Sequence, residues 1–351
     1  MQPDLTPTRA RSADRHRPLA RRWLWTTVAL TAGAFVIAAA FAPPGSAAPD
    51  RGLAWVLFAG SSAHVASTGW LYTLGDVRSY ATERPWRFIR VPVLLMVAGA
   101  AAAATLTPAA MTWLLLPFFA WQFFHFAKQN LGLTALAAKT AAAPPLQTAE
   151  RRALIASGMA GVGGLMARPA LLQLPVDPRL GALFPLSAAA MAAAVAAGLI
   201  LLARRTPAQR PRGFCVMYLT GLFFSVPVFV FASPYAAVGG MTIAHGLQYL
   251  LLVSLVAAGG PGQAGRALRL AVLSNVALIG GAVLAVTSHL HSGGPALRLL
   301  FGAYLGAVMA HFVVDAGLWR LRDPFPRAFL ARRVPYLMPA APAVRSAADI
   351  R

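Results

Sequence analysis

Cysteine and acidic residues are scarce in this 351-residue chain. A single cysteine, Cys215, excludes an intrachain disulfide framework and a cysteine metal cluster, and leaves the redox compartment open. Ten Asp and Glu stand against 31 Lys and Arg, and only 12% of the residues are charged, about half the share found in an ordinary soluble domain. The chain contains no HExxH, no histidine pair at i, i+4 and no Ser/His/Asp nucleophile spacing. The usual signatures of hydrolytic and zinc-protease chemistry are therefore missing.

What is abundant is apolar. Hydrophobic residues make up 58% of the chain, and the mean hydropathy is +0.62. They gather in runs near the length of about 20 residues that crosses a hydrocarbon layer. The pattern predicts an all-α, polytopic membrane bundle with spans near 24–42, 54–74, 91–107, 110–130, 153–173, 181–203, 214–232, 238–258, 270–288 and 298–319. Residues 1–23 and 321–351 form basic tails on either side of a bundle over 24–320, and the first span is expected to be retained rather than cleaved as a signal peptide.

The net charge of +21 could suggest nucleic acid, but the basic residues lie in short segments between apolar runs and not on one soluble face. They read as topology signals. With the N-terminus inside, 27 of the 31 fall in inner segments, so ten spans with both termini cytoplasmic satisfy the positive-inside rule. The cell membrane is the expected location, and membrane lipid and a lipophilic small molecule are the expected partners.

Ionisable side chains within spans are expensive and call for a partner or a use. Four histidines fall in predicted spans: His64, His125, His245 and His311. All four lie on even-numbered spans, which run in the same direction, and their depths agree if the helix carrying His125 continues inward past Ala127. Each has polar company one helical turn on, on the same face: Ser67 and Thr68, Lys128 and Gln129, Gln248 and Tyr249, and Asp315. Asp315 is the one carboxylate within a span. A single intramembrane histidine is more often an interhelical hydrogen-bond partner than a ligand, but four at one depth predict a metal site. Asp315, Tyr249 and Gln248 are then the candidates for catalytic work, and Gln122, Lys128 and Gln129 for supporting the ligands or touching substrate. Phe118, Phe119, Trp121, Phe123, Phe124 and Phe126 surround His125, in keeping with a lipophilic ligand or with plain packing. His289 and His291 read as exposed loop.

The elements Ala-His-Val at 63–65, Phe-Phe-His-Phe-Ala at 123–127, Ala-His-Gly at 244–246 and Ala-His-Phe-Val-Val-Asp at 310–315 resemble those of the Brp/Blh-type membrane carotene-cleaving dioxygenases. That family places histidines on successive spans around a non-haem iron and binds a long polyene. The resemblance implies an oxygenase-like oxidoreductase with iron(II) on His64, His125, His245 and His311, acting on a lipophilic, isoprenoid-like substrate. Copper and zinc are the other ions that imidazole suits. Two departures stand out. The first family motif continues with Gly and an acidic residue where this chain has Val65 and Ser67-Thr68, and the third carries a second histidine where this chain has Tyr249. Two other classes fit the same residues: a haem protein with axial histidines, and a transporter or proton-coupled carrier using Asp315 and the histidines.

Overall fold

A computed structural model describes residues 6–44, 47–177, 179–260 and 264–338, with the side chains of 6–16 and 264 left out. Part of each expected basic tail, residues 1–5 and 339–351, lies outside the described residues. Among those described the chain is all-helical. We number the helices α1 (Thr6–Ala40), α2 (51–71), α3 (Gly75–Glu83), α4 (Trp86–Thr105), α5 (Pro108–Thr140), α6 (Thr148–Ala167), α7 (Leu183–Arg204), α8 (Arg212–Phe223), α9 (Pro227–Val230), α10 (Tyr235–Ala258), α11 (264–288), α12 (Pro295–Leu318) and α13 (Pro324–Arg333).

Among the described residues seven stretches are long and apolar enough to cross a membrane: Arg17–Ala40 of α1, Gly265–Ser292 around α11, and α4, α5, α7, α10 and α12. The other three expected spans fall short for reasons visible in their residues. In α2 the hydroxyls and the imidazole between Ser61 and Thr68 dilute the apolar run. Glu150, Arg151 and Arg152 occupy the first turn of α6, which stops before Pro169, and α8 has 12 residues. Large apolar side chains point outward on the long helices, among them Val97 at 60%, Leu278 at 59% and Val286 at 64% exposure. Such a surface suits hydrocarbon better than water.

Small residues set where helices touch. Gly99 of α4 meets Gly302 of α12 backbone to backbone, and Gly60 of α2 meets Gly246 of α10 in the same way. A Cβ at any of the four would overlap the facing chain, so only glycine permits these approaches. Gly60 lies inside a π-turn, Ala59–Ala63, that leads into His64. Such a wide turn re-aims the side chains that follow it, and beside the Gly60–Gly246 contact the His64 and His245 rings stand 4.9 Å apart.

Away from the centre, Arg205 and Glu150 form a buried bidentate pair at 2.6 and 2.7 Å, and the Arg205 guanidinium also donates to the carbonyls of Pro144 and Pro145 at 3.1 and 3.0 Å. This clamp fixes the α5–α6 loop against the end of α7. Hydrogen bonds donated to the Glu150 carboxylate hold the Arg205 pKa above the usual arginine value.

Candidate metal centre

The four histidines meet. His64 comes from α2, His125 from α5, His245 from α10 and His311 from α12, and each is buried. Their ring centres form a quadrilateral with sides of 4.9 Å (His64–His245), 5.0 Å (His245–His125), 5.2 Å (His125–His311) and 5.0 Å (His311–His64), and a His245–His311 diagonal of 6.3 Å. Imidazoles that share one ion at about 2.1 Å from each nitrogen stand about 5 Å apart centre to centre. Potential donor atoms of His64, His245 and His311 lie within 4.8 Å of one another, as do those of His125, His311 and Asp315.

Hydrogen bonding points the same way. Five imidazole nitrogens are buried without a hydrogen-bond partner among the described residues: His64 Nδ1, His125 Nε2, both nitrogens of His245, and His311 Nε2. Each unsatisfied polar atom costs about 1–3 kcal/mol, and protein interiors rarely tolerate even one in such a place. The donor atoms form two overlapping triads that share His311, so a cation in either would satisfy several of these nitrogens at once, and the donor set fits a metal that imidazole binds.

The tautomer of His311 follows from a hydrogen-bond chain. Tyr249 donates its hydroxyl to Asp315 Oδ1 at 3.0 Å, so its oxygen is free to accept from Thr68 Oγ1 at 2.9 Å. The Thr68 hydroxyl proton is then committed, and its oxygen accepts from His311 Nδ1–H at 2.6 Å. With its proton on Nδ1, His311 presents a bare Nε2 to the centre. Trp319 Nε1 donates to Asp315 Oδ1 at 3.2 Å. The other carboxylate oxygen, Oδ2, stands 3.6 Å from His311 Nε2 and 3.8 Å from His125 Nε2. Asp315 therefore faces the histidines with one oxygen and anchors the chain with the other, a common arrangement around metal-bound imidazole.

Phenyl rings stack on two of the remaining imidazoles. Phe126 stacks on His245 at 4.0 Å and Phe312 on His125 at 4.7 Å. A cavity of about 30 Å³ reaches His64 between Phe126 and Phe312.

Not every residue singled out from the sequence joins the centre. Lys128 is exposed, because one position on a helix turns the side chain by about 100° from its neighbours. Gln248 bonds Thr31 at 2.8 Å, Asn130 at 3.4 Å and Gln129 at 2.9 Å. It ties α10 to α1 and α5 and does not touch the imidazoles' open side. Gln129 also donates to the His245 carbonyl at 3.0 Å, fixing that turn of backbone. Gln122 lines the cavity. Of the aromatics, Phe118, Phe123 and Phe126 are buried, whereas Trp121 and Phe124 lie on the surface. His289 and His291 are exposed. Tyr304, also on the cavity wall, escapes a search one turn either side of each histidine, since it lies two turns before His311. The same-face spacing i, i+7 would have found it.

Comparison with protein-family models, curated proteins and solved structures finds no match.

Proposed function

We propose that the protein is a membrane-embedded metalloprotein in which His64, His125, His245 and His311 hold one transition-metal ion, iron(II) by preference, for oxidation of a lipophilic substrate of isoprenoid type. The observation that carries this reading is the set of five buried imidazole nitrogens without a hydrogen-bond partner among the described residues, on four rings whose neighbouring centres stand 4.9–5.2 Å apart. Imidazole suits iron, copper and zinc, and a carboxylate beside an all-histidine set favours iron. When bound, the ion would supply one-electron and dioxygen chemistry. The protein's part is to keep His311 in the Nδ1-protonated tautomer through Thr68, Tyr249 and Asp315, to orient His245 and His125 with Phe126 and Phe312, and to keep bulk water away by burial. Asp315 Oδ2 is placed to accept a proton or to complete the ligand set.

The quadrilateral disfavours haem. A macrocycle between two axial histidines needs a clear slab some 10 Å wide, and the other two histidines fill that space here.

Among the described residues seven helices are long and apolar enough to span. We further propose that α2, α6 and α8 complete ten passes with both termini cytoplasmic, because that count places 27 of 31 basic residues on one side. The fit of the second and fourth motifs supports kinship in chemistry with the Brp/Blh-type oxygenases, with Tyr249 anchoring Asp315 where that family has a histidine. The test is to supply iron-loaded protein in detergent with a conjugated isoprenoid such as a carotene. Dioxygen uptake coupled to loss of polyene absorbance is expected in the parent and not in His245→Ala. Absence of both signals from fully iron-loaded parent protein would overturn the substrate assignment.

A further inference from the structure

The centre has two unlike faces, and they are ordered along the chain. One turn after each histidine stands a hydrogen-bonding group: Thr68, Gln129, Tyr249 and Asp315, at i+4 in all four cases. All of these side chains are hydrogen-bonded to protein, so this face is closed. Three residues before the histidines stand Ser61, Gln122, Thr242 and Val308, and all four line the 30 Å³ cavity. The four helices therefore run the same way past the site, and the cavity lies on their N-terminal side.

On that side the polar groups are not all spoken for. Ser61 and Thr242 donate to the helix carbonyls of Leu57 and Val238. Ser62, Gln122 and Tyr304 make no side-chain hydrogen bond with another described residue. Gln122, Thr242 and Tyr304 are half-buried and form a rim, whereas Val65, Phe126, Val308 and Phe312 are buried and apolar, with His64 among them. The result is a narrow shaft from a polar mouth to an apolar floor that ends on an imidazole.

Resting on the metal reading above, we infer that this shaft is the binding place of a diatomic ligand of the dioxygen class, on the N-terminal face of the histidine quadrilateral. Its volume is about that of one water molecule in the liquid, or of a molecule of two heavy atoms. A long isoprenoid does not fit, so a lipophilic substrate must lie at the mouth, against Gln122 and Tyr304. The two reactants thus arrive on one face, and the opposite face holds the ligands and carries Asp315 Oδ2.

Nitric oxide is the probe, because its adduct with ferrous non-haem iron gives a distinctive electron paramagnetic resonance signal that needs no turnover. Iron-loaded parent protein should bind one nitric oxide per chain. Val308→Phe, which fills the shaft, should weaken that binding at least tenfold at unchanged iron content. Ser62→Val, a gentler change for use if Val308→Phe fails to fold, should weaken it severalfold. Leu278→Phe on the outer surface should leave it as in the parent. Unchanged nitric oxide affinity in an iron-replete shaft variant would overturn the placement and leave the metal reading standing. A parent protein that holds no iron under loading would overturn the metal reading, and this inference with it.

Discussion

Thr68 on α2 and His311 on α12 are 243 residues apart in sequence, yet the Thr68 hydroxyl sits 2.6 Å from His311 Nδ1. Through Tyr249 of α10 the same hydroxyl is linked to Asp315, so three helices agree on where one imidazole carries its proton. Removal of such outer partners typically costs 10–100-fold in metal affinity. Thr68→Val and Tyr249→Phe should each lower iron affinity by that factor in a competition titration with a coloured chelator. Thr68→Ser, which keeps the hydroxyl, should restore most of it. Equal affinities across the three variants would remove the chain from the metal's support.

The Gly60–Gly246 approach predicts a packing defect with a chemical readout. Gly246→Ala pushes α2 from α10, and overpacking of this kind costs about 1–3 kcal/mol. The melting temperature in detergent should fall, and the purified variant should carry less metal than the parent, because His64 leaves the quadrilateral. A Gly246→Ala protein with parental metal content and stability would show that the contact is not needed.

The Arg205–Glu150 pair separates stability from chemistry. Glu150→Ala leaves a buried guanidinium without its carboxylate, and loss of one partner of a buried pair costs about 3–5 kcal/mol. Stability should drop sharply while metal bound per folded molecule stays at the parental value. Thermal unfolding followed by tryptophan fluorescence, beside metal analysis of the surviving monodisperse fraction, checks both halves.

Metal removal should loosen the molecule from its centre. An ion that binds only the folded state stabilises it by about 2.7 kcal/mol at a hundredfold excess over its dissociation constant. Chelation should therefore lower the unfolding temperature, and readdition of iron(II) should restore it. In His245→Ala the chelator should have no effect. A chelator-insensitive parent would speak against a buried ion.

Much of this centre is legible in the sequence because helical spacing turns positions into faces. Each histidine has a partner at i+4 that the structure places in the same layer, and the continuation of α5 past Ala127 to Thr140 carries His125 into the bundle. Lys128 and Gln248 sit at i+3, where the face has rotated away, and each leaves the centre for surface or for α1. The π-turn before His64 could not be read, since it inserts a residue into the helical repeat with no marker but the small side chains Ala59, Gly60, Ser61, Ser62 and Ala63. The span count was harder still. Hydropathy blurs where a helix carries its own chemistry, as α2 does with His64, and where charges enter a first turn, as in α6.

The most direct test of the four-histidine centre is the metal content of the purified protein, measured by mass spectrometry after iron(II) loading and desalting, for the parent and for His64→Ala, His125→Ala, His245→Ala and His311→Ala. We predict one ion per chain in the parent, with at least a tenfold weaker hold in every variant. A parent free of stoichiometric metal, or a His245→Ala protein that retains the parental amount, would contradict it.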